Sequence, residues 1–429
     1  MVKSPAVFSA LITAFLMYSG MVDVCSRHAA VSVVPESDMK YIAGTIASSP
    51  VKSSTGTSYS MTVDLSHVAG TRISGPASGR VTLYVDASSV EALLPGRLYS
   101  AAESVTAETG AESTFIYETG ACIQAEVSFT DRPSNAPVPC AVEYAQFYAK
   151  NVTFCGWRST LDRIRAMARL LLKRILFAWG GAGGLLLALI SGAREYTETD
   201  VSDSFRDAGL SHILALSGMH LSLFSSLTEN TAGRALGRKM QPLLTLGASF
   251  VFVWFAGAGP SLVRALICMC ITSVSGIAGI KISTLEKVCL SFLIHVCIFP
   301  EDAGSAAFML SYGALLGLYA GDIIFKPFVS RFFPPSVASS VSASLGAQLC
   351  TAPVSIILFG ECRPGGIIAS VVVSPLASWF VTGGIVSLAV IFAFPFLLHP
   401  VGVIMNYVYS LIRRFVMQFA AIPGISVAR

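Results

Sequence analysis

The chain has 429 residues, of which 53% are hydrophobic and only 13% charged, with a mean hydropathy of +0.67. A soluble domain carries about 25% charged residues, which excludes a soluble protein as a description of the whole chain. Charge is segregated too: residues 23–156 hold 8 Lys/Arg against 13 Asp/Glu, net −5, while residues 157–429 hold 20 against 12, net +8.

Residues 1–22 begin with a single Lys3 followed by an apolar run, PAVFSALITAFLMYSGMV over 5–22. This reads as a signal peptide or a first span. It has no clear A-x-A cleavage site, so a retained anchor with its N-terminus inside is favoured.

Residues 23–156 have no long apolar run. Tyr59, Met61, Val63 and Leu65 alternate with polar residues, as do Val81, Leu83 and Val85, and period two argues for half-buried strands. Further strand candidates are 40–47, 97–104 and 122–129. Five short strands fit a small barrel or sandwich, of which the five-stranded OB barrel is one form. Tyr84 falls on the polar side of its strand, where an aromatic ring can stack a base or stand as an ordinary exposed tyrosine. The net negative charge opposes phosphate binding here. Cys25, Cys122, Cys140 and Cys155 lie in or beside this region, and no CxxC occurs in the chain, so zinc has no support. With the region outside the cytoplasm, a disulfide is possible. A Cys122–Cys140 bridge is the expected pairing, since both cysteines flank the last strand candidate.

Residues 157–174 place Leu161, Ile164, Ala168, Leu171 and Leu172 at helical spacing, with Arg158, Arg165, Arg169 and Lys173 on the other face. This predicts a basic amphipathic helix lying in the membrane interface. Its cations either anchor lipid headgroups or guide phosphates to a channel mouth.

Residues 175–429 hold nine apolar segments: 175–193, 210–227, 241–258, 261–280, 284–299, 305–325, 337–359, 366–393 and 396–421. Several are short for a span of about 20 residues, and Pro260, Pro353 and Pro375 interrupt others. Broken helices are tolerated in a bilayer where they line protein or a water-filled cavity, which points to a channel or transporter. The fold class is therefore a polytopic α-helical membrane protein with a small extracytoplasmic all-β, OB-like domain.

Two polar clusters stand out in this apolar setting. GLSHILALSGMHLSLF (209–224) carries His212, Ser217, Gly218 and His220, and Arg206 precedes it. AGAGPSLVRALICM (256–269) carries Pro260, Ser261 and Arg264. Polar groups in a bilayer are costly unless they face a bundle interior or water, and an anionic substrate would partner Arg264. Snorkelling to the interface is the alternative. His212 and His220 without a third ligand make a poor metal site, leaving pore-lining or structural roles. An intramembrane serine peptidase using Ser217 and His295 is a further reading, although Ser217 lacks a G-x-S context.

These two clusters, in this order, resemble the ComEC family of DNA-internalisation channels. The family's G-x-x-H-x-x-x-x-S-G-x-H segment is matched at Gly209, His212, Ser217, Gly218 and His220, and its Pro-Ser-x-x-Arg-Ala block at Pro260, Ser261, Arg264 and Ala265. Later blocks are similar around Gln348 and Pro353, and around Ser370 and Pro375, with Ser370 in the position of an Asn and Met309 in that of a Gln. The resemblance covers about 157–429. It implies import of single-stranded DNA through the bacterial cytoplasmic membrane. The partners it implies are single-stranded DNA, membrane lipid, an extracytoplasmic DNA receptor, a separate nuclease, a cytoplasmic ATP-driven helicase and further copies of the chain. Many members continue into a metallo-β-lactamase-like domain, but none of the six histidines here has the H-x-H-x-D-H spacing of its zinc ligands. No enzymatic activity, cofactor or metal is therefore expected. A transporter for another anion remains the alternative.

Overall fold

A computed structural model describes residues 4–19, 21, 31–53, 57–91, 117–130, 144–194, 197–236, 241–422 and 424–426. The strand candidate 97–104 and Cys140 lie outside these residues.

The first helix, α1 (Pro5–Tyr18), is followed by strands β1 (Val31–Ser32), β2 (Met39–Ile46), β3 (Val51–Lys52), β4 (Ser58–Gly70), β5 (Ser74–Ser78) and β6 (Arg80–Asp86), a short helix α2 (Ala87–Glu91), then β7 (Ala121–Phe129) and β8 (Gln146–Trp157). Five strands close into a ring. β4 pairs with β2 and β6, β2 pairs with β7, β7 pairs with β8, and β8 returns to β6 as the one parallel neighbour. Closure removes the open edges that make a sheet prone to aggregate. The alternation works as its period requires: Tyr59, Met61, Val63, Val81, Leu83, Val85, Ile123 and Phe147 fill the interior. Four ring strands coincide with sequence candidates, and β8 supplies the fifth. Cys122 Sγ lies 3.7 Å from Thr45 Oγ1, and its expected partner Cys140 lies outside the described residues. Tyr84 stands on the barrel exterior beside Tyr148, with ring centroids 5.3 Å apart.

The helical part runs α3 (Thr160–Phe177), α4 (Gly180–Ser191), α5 (Thr199–Asp207), α6 (Ser211–Leu214), α7 (Gly218–Leu236), α8 (Gln241–Ala256), α9 (Pro260–Ile277), α10 (Thr284–Ile298), α11 (Ala306–Ile324), α12 (Lys326–Val329), α13 (Pro335–Phe359), α14 (Gly366–Ala393) and α15 (Leu398–Ala420). Among the described residues, five helices are long and apolar enough to cross a membrane: α9, α11, α13, α14 and α15. Helices α4 and α8 are apolar but shorter, and α4 is the most deeply buried, packed among α14 and α15. Pro353 and Pro375 lie inside α13 and α14, where each removes one backbone hydrogen bond and leaves a carbonyl one turn earlier without its donor. A two-stranded clasp of β9 (Glu361–Cys362) and β10 (Ile425–Ser426) joins the α13–α14 connection to the segment after α15.

Helix α1 lies along α10. Ser4 reaches Glu286 at the start of α10, and the Tyr18 hydroxyl donates to the Ala303 carbonyl beyond its end, 3.2 Å away. Val7, Ala10 and Met17 are buried against Val288, Phe292 and Phe308.

Helix α3 reverses the sequence expectation. Its basic face is turned inward and its apolar residues are outside: Leu161, Ile164, Met167 and Leu171 are 48–63% exposed, whereas Arg169 and Lys173 are 4% and 6% exposed. The reason is Glu118, a buried carboxylate of the barrel. Lys173 Nζ pairs with one of its oxygens, and Arg169 Nε lies 3.1 Å from the other. Arg169 also donates to Ser49 Oγ of the barrel (3.1 Å), to the Ser191 carbonyl ending α4 (3.2 Å) and to the Phe255 and Ala256 carbonyls ending α8 (3.4 Å each). A cation at helix C-termini satisfies carbonyls that have no intrahelical donor and complements the helix dipole. One arginine therefore joins the barrel to two membrane helices.

Candidate functional site

A cavity of about 940 Å³ opens beside the start of α7 and runs down between α7, α9 and α11. One wall is a single face of α11: Ala307, Leu310, Ser311, Ala314, Leu315 and Leu318 recur at spacings of three and four residues. Eleven residues of helix span about 17 Å at 1.5 Å per residue, so the cavity reaches well into the bundle.

The other walls come from the two sequence motifs. At Ser211–Leu214 the chain makes one helical turn, α6, and Ala215 is extended (ψ 134°) before α7 starts at Gly218. The apolar segment 210–227 is thus a broken helix, unwound at Ala215–Ser217, and His212, Ser217 and Gly218 line the cavity at the break. Pro260 occupies the first turn of α9, where its missing N–H costs nothing. Ser261 and Arg264 follow on the cavity side. Ser261 Oγ donates to Ser311 Oγ (2.9 Å), and Arg264 Nη1 donates to the Ser311 carbonyl (3.0 Å), so α9 and α11 are tied together at this level.

Arg264 carries the unusual electrostatics. Its Nε is buried without a partner, and among the described residues it has no carboxylate within ion-pairing distance. Arg194, at the cavity rim, donates to the Leu214 carbonyl (3.3 Å). Arg206 lies at the mouth, held by Asp203 (3.3 Å) and Asp207 (3.9 Å). Among the described residues, neither Arg194 nor Arg264 has a carboxylate partner, and both half-buried guanidinium groups face a largely aliphatic cavity.

Six expected residues come together here: Arg206, His212, Ser217, Gly218, Ser261 and Arg264. His220 does not line the cavity; it is 1% exposed behind the break. Gln348 donates to the Arg363 carbonyl (3.0 Å), and Arg363 in turn pairs with Asp207 (3.1 Å), so Gln348 braces the mouth from outside. Ser370 contacts Ser344 (3.3 Å) between α13 and α14, and Pro353, Pro375 and Met309 are not in the lining either. Sequence reasoning missed Arg194, Cys268 and the α11 face. Cys268 is legible in retrospect, one helical turn after Arg264.

The serine–histidine pairing considered from sequence is not formed with His295. Both ring nitrogens of His295 are engaged elsewhere, Nδ1 with the Tyr312 hydroxyl (3.3 Å) and Nε2 with Asp302 (3.0 Å). After α4, the acidic residues of α5 are paired, Asp200 to Arg413 (2.7 Å), Asp203 to Arg206 and Asp207 to Arg363.

The described residues thus form a helical bundle with five helices able to cross a membrane, one broken helix and an internal cavity, the architecture of a multi-pass membrane protein. The family model described as "Competence protein" matches residues 189–429, and the chain belongs to this family. It is 23% identical over 247 residues to "ComE operon protein 3" of Bacillus subtilis (strain 168), covering 54% of this chain and 31% of that protein. It is 26% identical over 234 residues to an uncharacterized protein of Aquifex aeolicus (strain VF5), covering 54% of this chain and 53% of the relative. The alignments thus span 31% and 53% of these relatives' lengths. No solved structure matches.

Proposed function

We propose that the chain is the membrane conduit through which single-stranded DNA passes inward during competence. Membership of the competence family supports a role in DNA uptake, and the single structural observation that carries the reading is Arg264. A guanidinium without a counter-ion, inside a membrane bundle and facing a cavity, is suited to transient phosphate contacts. Arg194 and Arg206 at the rim would concentrate a polyanion there. Among the described residues the lining has no Phe, Tyr, Trp, Asn or Gln. Its guanidinium groups suit charge-assisted contacts to phosphate, which carry no sequence information.

We place the barrel outside the cytoplasm and read it as OB-like from its five-stranded ring. The connections at the bundle end away from the barrel carry Lys281, Lys326 and Arg331, with Lys287 one turn into α10, and the α7–α8 connection adds Arg238 and Lys239 by sequence. At the barrel end, Arg206, Arg363 and Arg413 are matched by carboxylates, and α3 adds further cations. We take the far end as cytoplasmic, in the bacterial inner membrane, from the sequence reading that sets Lys3 inside ahead of α1. In this orientation the apolar face of α3 meets acyl chains at the outer interface. The helicase, nuclease and DNA receptor that import requires would be separate proteins.

Cys268 provides a direct test because it lines the cavity. In protein whose other cysteines are serine, an anionic methanethiosulfonate is expected to modify Cys268 about tenfold or more faster than a cationic one, the scale of electrostatic focusing in clefts. A single-stranded oligonucleotide should protect it. Arg264→Gln should abolish the preference and reduce DNA uptake in cells at unchanged protein abundance, and Arg264→Lys should retain part of both. Equal rates for the two reagents, with no protection, would refute the reading. The chain is further proposed to conduct DNA without cutting it, its α5 carboxylates being matched by arginines. Metal-dependent nuclease activity lost on replacing Asp200 and Asp203 would overturn that.

A further inference from the structure

We propose that His220 is a neutral helix cap, chosen so that the chain can be unwound at Ala215–Ser217 without placing a carboxylate beside Arg264. The inference rests on the reading of the cavity as an anion path.

The start of α7 has Ser217 at the N-cap, Gly218 at the first helical position and His220 at the third. The Ser217 backbone N–H donates to His220 Nδ1 (3.1 Å), and the Ser217 hydroxyl lies 3.2 Å from the same nitrogen. In a capping box, a Glu or Gln at the third position reaches back to the N-cap N–H in this way. The chain uses the ordinary form elsewhere. At α10, Ser283 is the N-cap, the Glu286 carboxylate accepts its backbone N–H (2.9 Å), and the pair is exposed. At α7 the same geometry is made by an imidazole.

The ring's protonation follows from its partner. Nδ1 accepts an N–H, so it carries no proton, and the proton sits on Nε2. Nε2 is buried and has no hydrogen-bond partner among the described residues. Leaving a buried donor unmade is costly. The side chain is therefore held at this position for Nδ1, not Nε2, and it is not a lining group of the cavity.

A carboxylate is excluded by what stands next to the cap. A Cβ at Gly218 would lie 3.1 Å from Arg264 Nη2 and 3.3 Å from Ala265 Cβ. The first turn of α7 thus lies directly against the guanidinium, and a side chain at 218 would require Arg264 or Ala265 to give way. A Glu at 220 curled back to the Ser217 N–H would bring its charge to the same peptide and become the missing counter-ion. A neutral acceptor closes the helix end and leaves Arg264 available.

Three variants at 220 separate these statements, read as modification of a sole cysteine, Cys268, by a neutral, an anionic and a cationic thiosulfonate. His220→Gln, long enough to reach back and uncharged, is expected to stay within about twofold of the parent in all three rates. His220→Glu is expected to keep the neutral rate and lose the anionic preference. His220→Leu, which cannot accept, is expected to change the neutral rate by tenfold or more, because the unwound stretch loses its anchor. The Gln and Glu variants suffice if the Leu variant does not fold. Gln behaving like Leu, or Glu keeping the full anionic preference, would overturn the proposal. If the parent itself shows no anionic preference, the anion-path reading falls and with it the reason for a neutral cap, while the neutral rates still report whether Gln restores what Leu removes.

Discussion

Replacing Glu118 with Gln is expected to destabilise the junction between barrel and membrane helices by about 3–5 kcal/mol, the cost of breaking a buried ion pair from one side. Glu118 pairs with both Arg169 and Lys173, and all three are buried. Removing its charge takes a shared counter-ion from two buried cations. Arg169 would keep its carbonyl partners on α4 and α8, whereas Lys173 would lose its pairing with Glu118. Glu118→Gln combined with Lys173→Met should therefore recover part of the loss, and calorimetry in detergent would measure both. A fall below about 1 kcal/mol for the single variant would mean that water reaches the cluster.

The same group sets an acid limit. Burial alone would raise the Glu118 carboxyl, but the Lys173 and Arg169 charges outweigh it and hold the group below the ordinary carboxylate value. A lowered folded-state value stabilises the fold fully above the unfolded-state value, about 4.3 for Glu. That stabilisation is lost as pH falls through the folded-state value. Stability should therefore hold from neutrality to about pH 5 and then decline, and Glu118→Gln should remove that component of the decline.

Gly346→Val is expected to damage the membrane bundle severely, by about 3 kcal/mol or more, the upper end of overpacking costs. Helices α11 and α13 are in backbone contact along a stripe of small residues. A Cβ on Gly346 would collide with the Gly317 carbonyl oxygen and lie 2.7 Å from Gly321 Cα; one on Gly317 would collide with the Gly346 carbonyl. These are main-chain atoms and cannot rotate away. In lipid no hydrophobic force draws helices together, so close backbone approach supplies much of the association. Gly313→Ala is the control, since its Cβ would sit 3.6 Å from the nearest atom, in ordinary contact. Thermal unfolding in detergent should show a large drop for Gly346→Val and little change for Gly313→Ala. The other face of α11 lines the cavity, so the damaging variant should also alter Cys268 labelling.

The sequence by itself determined the chain's division into a polar barrel and an apolar bundle, four ring strands, and the apolar segment whose polar residues must find a polar surrounding. Each rests on a local rule. Period two marks a strand with one face buried, and His212, Ser217 and Gly218 in an apolar run need a polar surrounding. Strand β8 escaped because its period is interrupted. Lys150 and Cys155 are unpaired residues at bulges in the β7–β8 register, and each bulge shifts the alternation by one residue. Buried Phe147 and Ala149 thus give way to Val152 and Phe154 as the packed positions.

What only the tertiary structure decided is which partner each polar group meets. Helical spacing showed that α3 has a basic and an apolar face, but not that the basic face points inward. That depends on Glu118, about fifty residues away and unremarkable in sequence. The cavity has the same character. Ser311, Arg194 and Arg264 stand on three separate segments, and no local pattern joins them. The absence of a carboxylate beside Arg264 is likewise a fact about space. Amphipathic period is a property of one segment, whereas the sign and placement of a counter-charge are properties of two. Folding brings the two together, and for Arg264 it leaves the second place open.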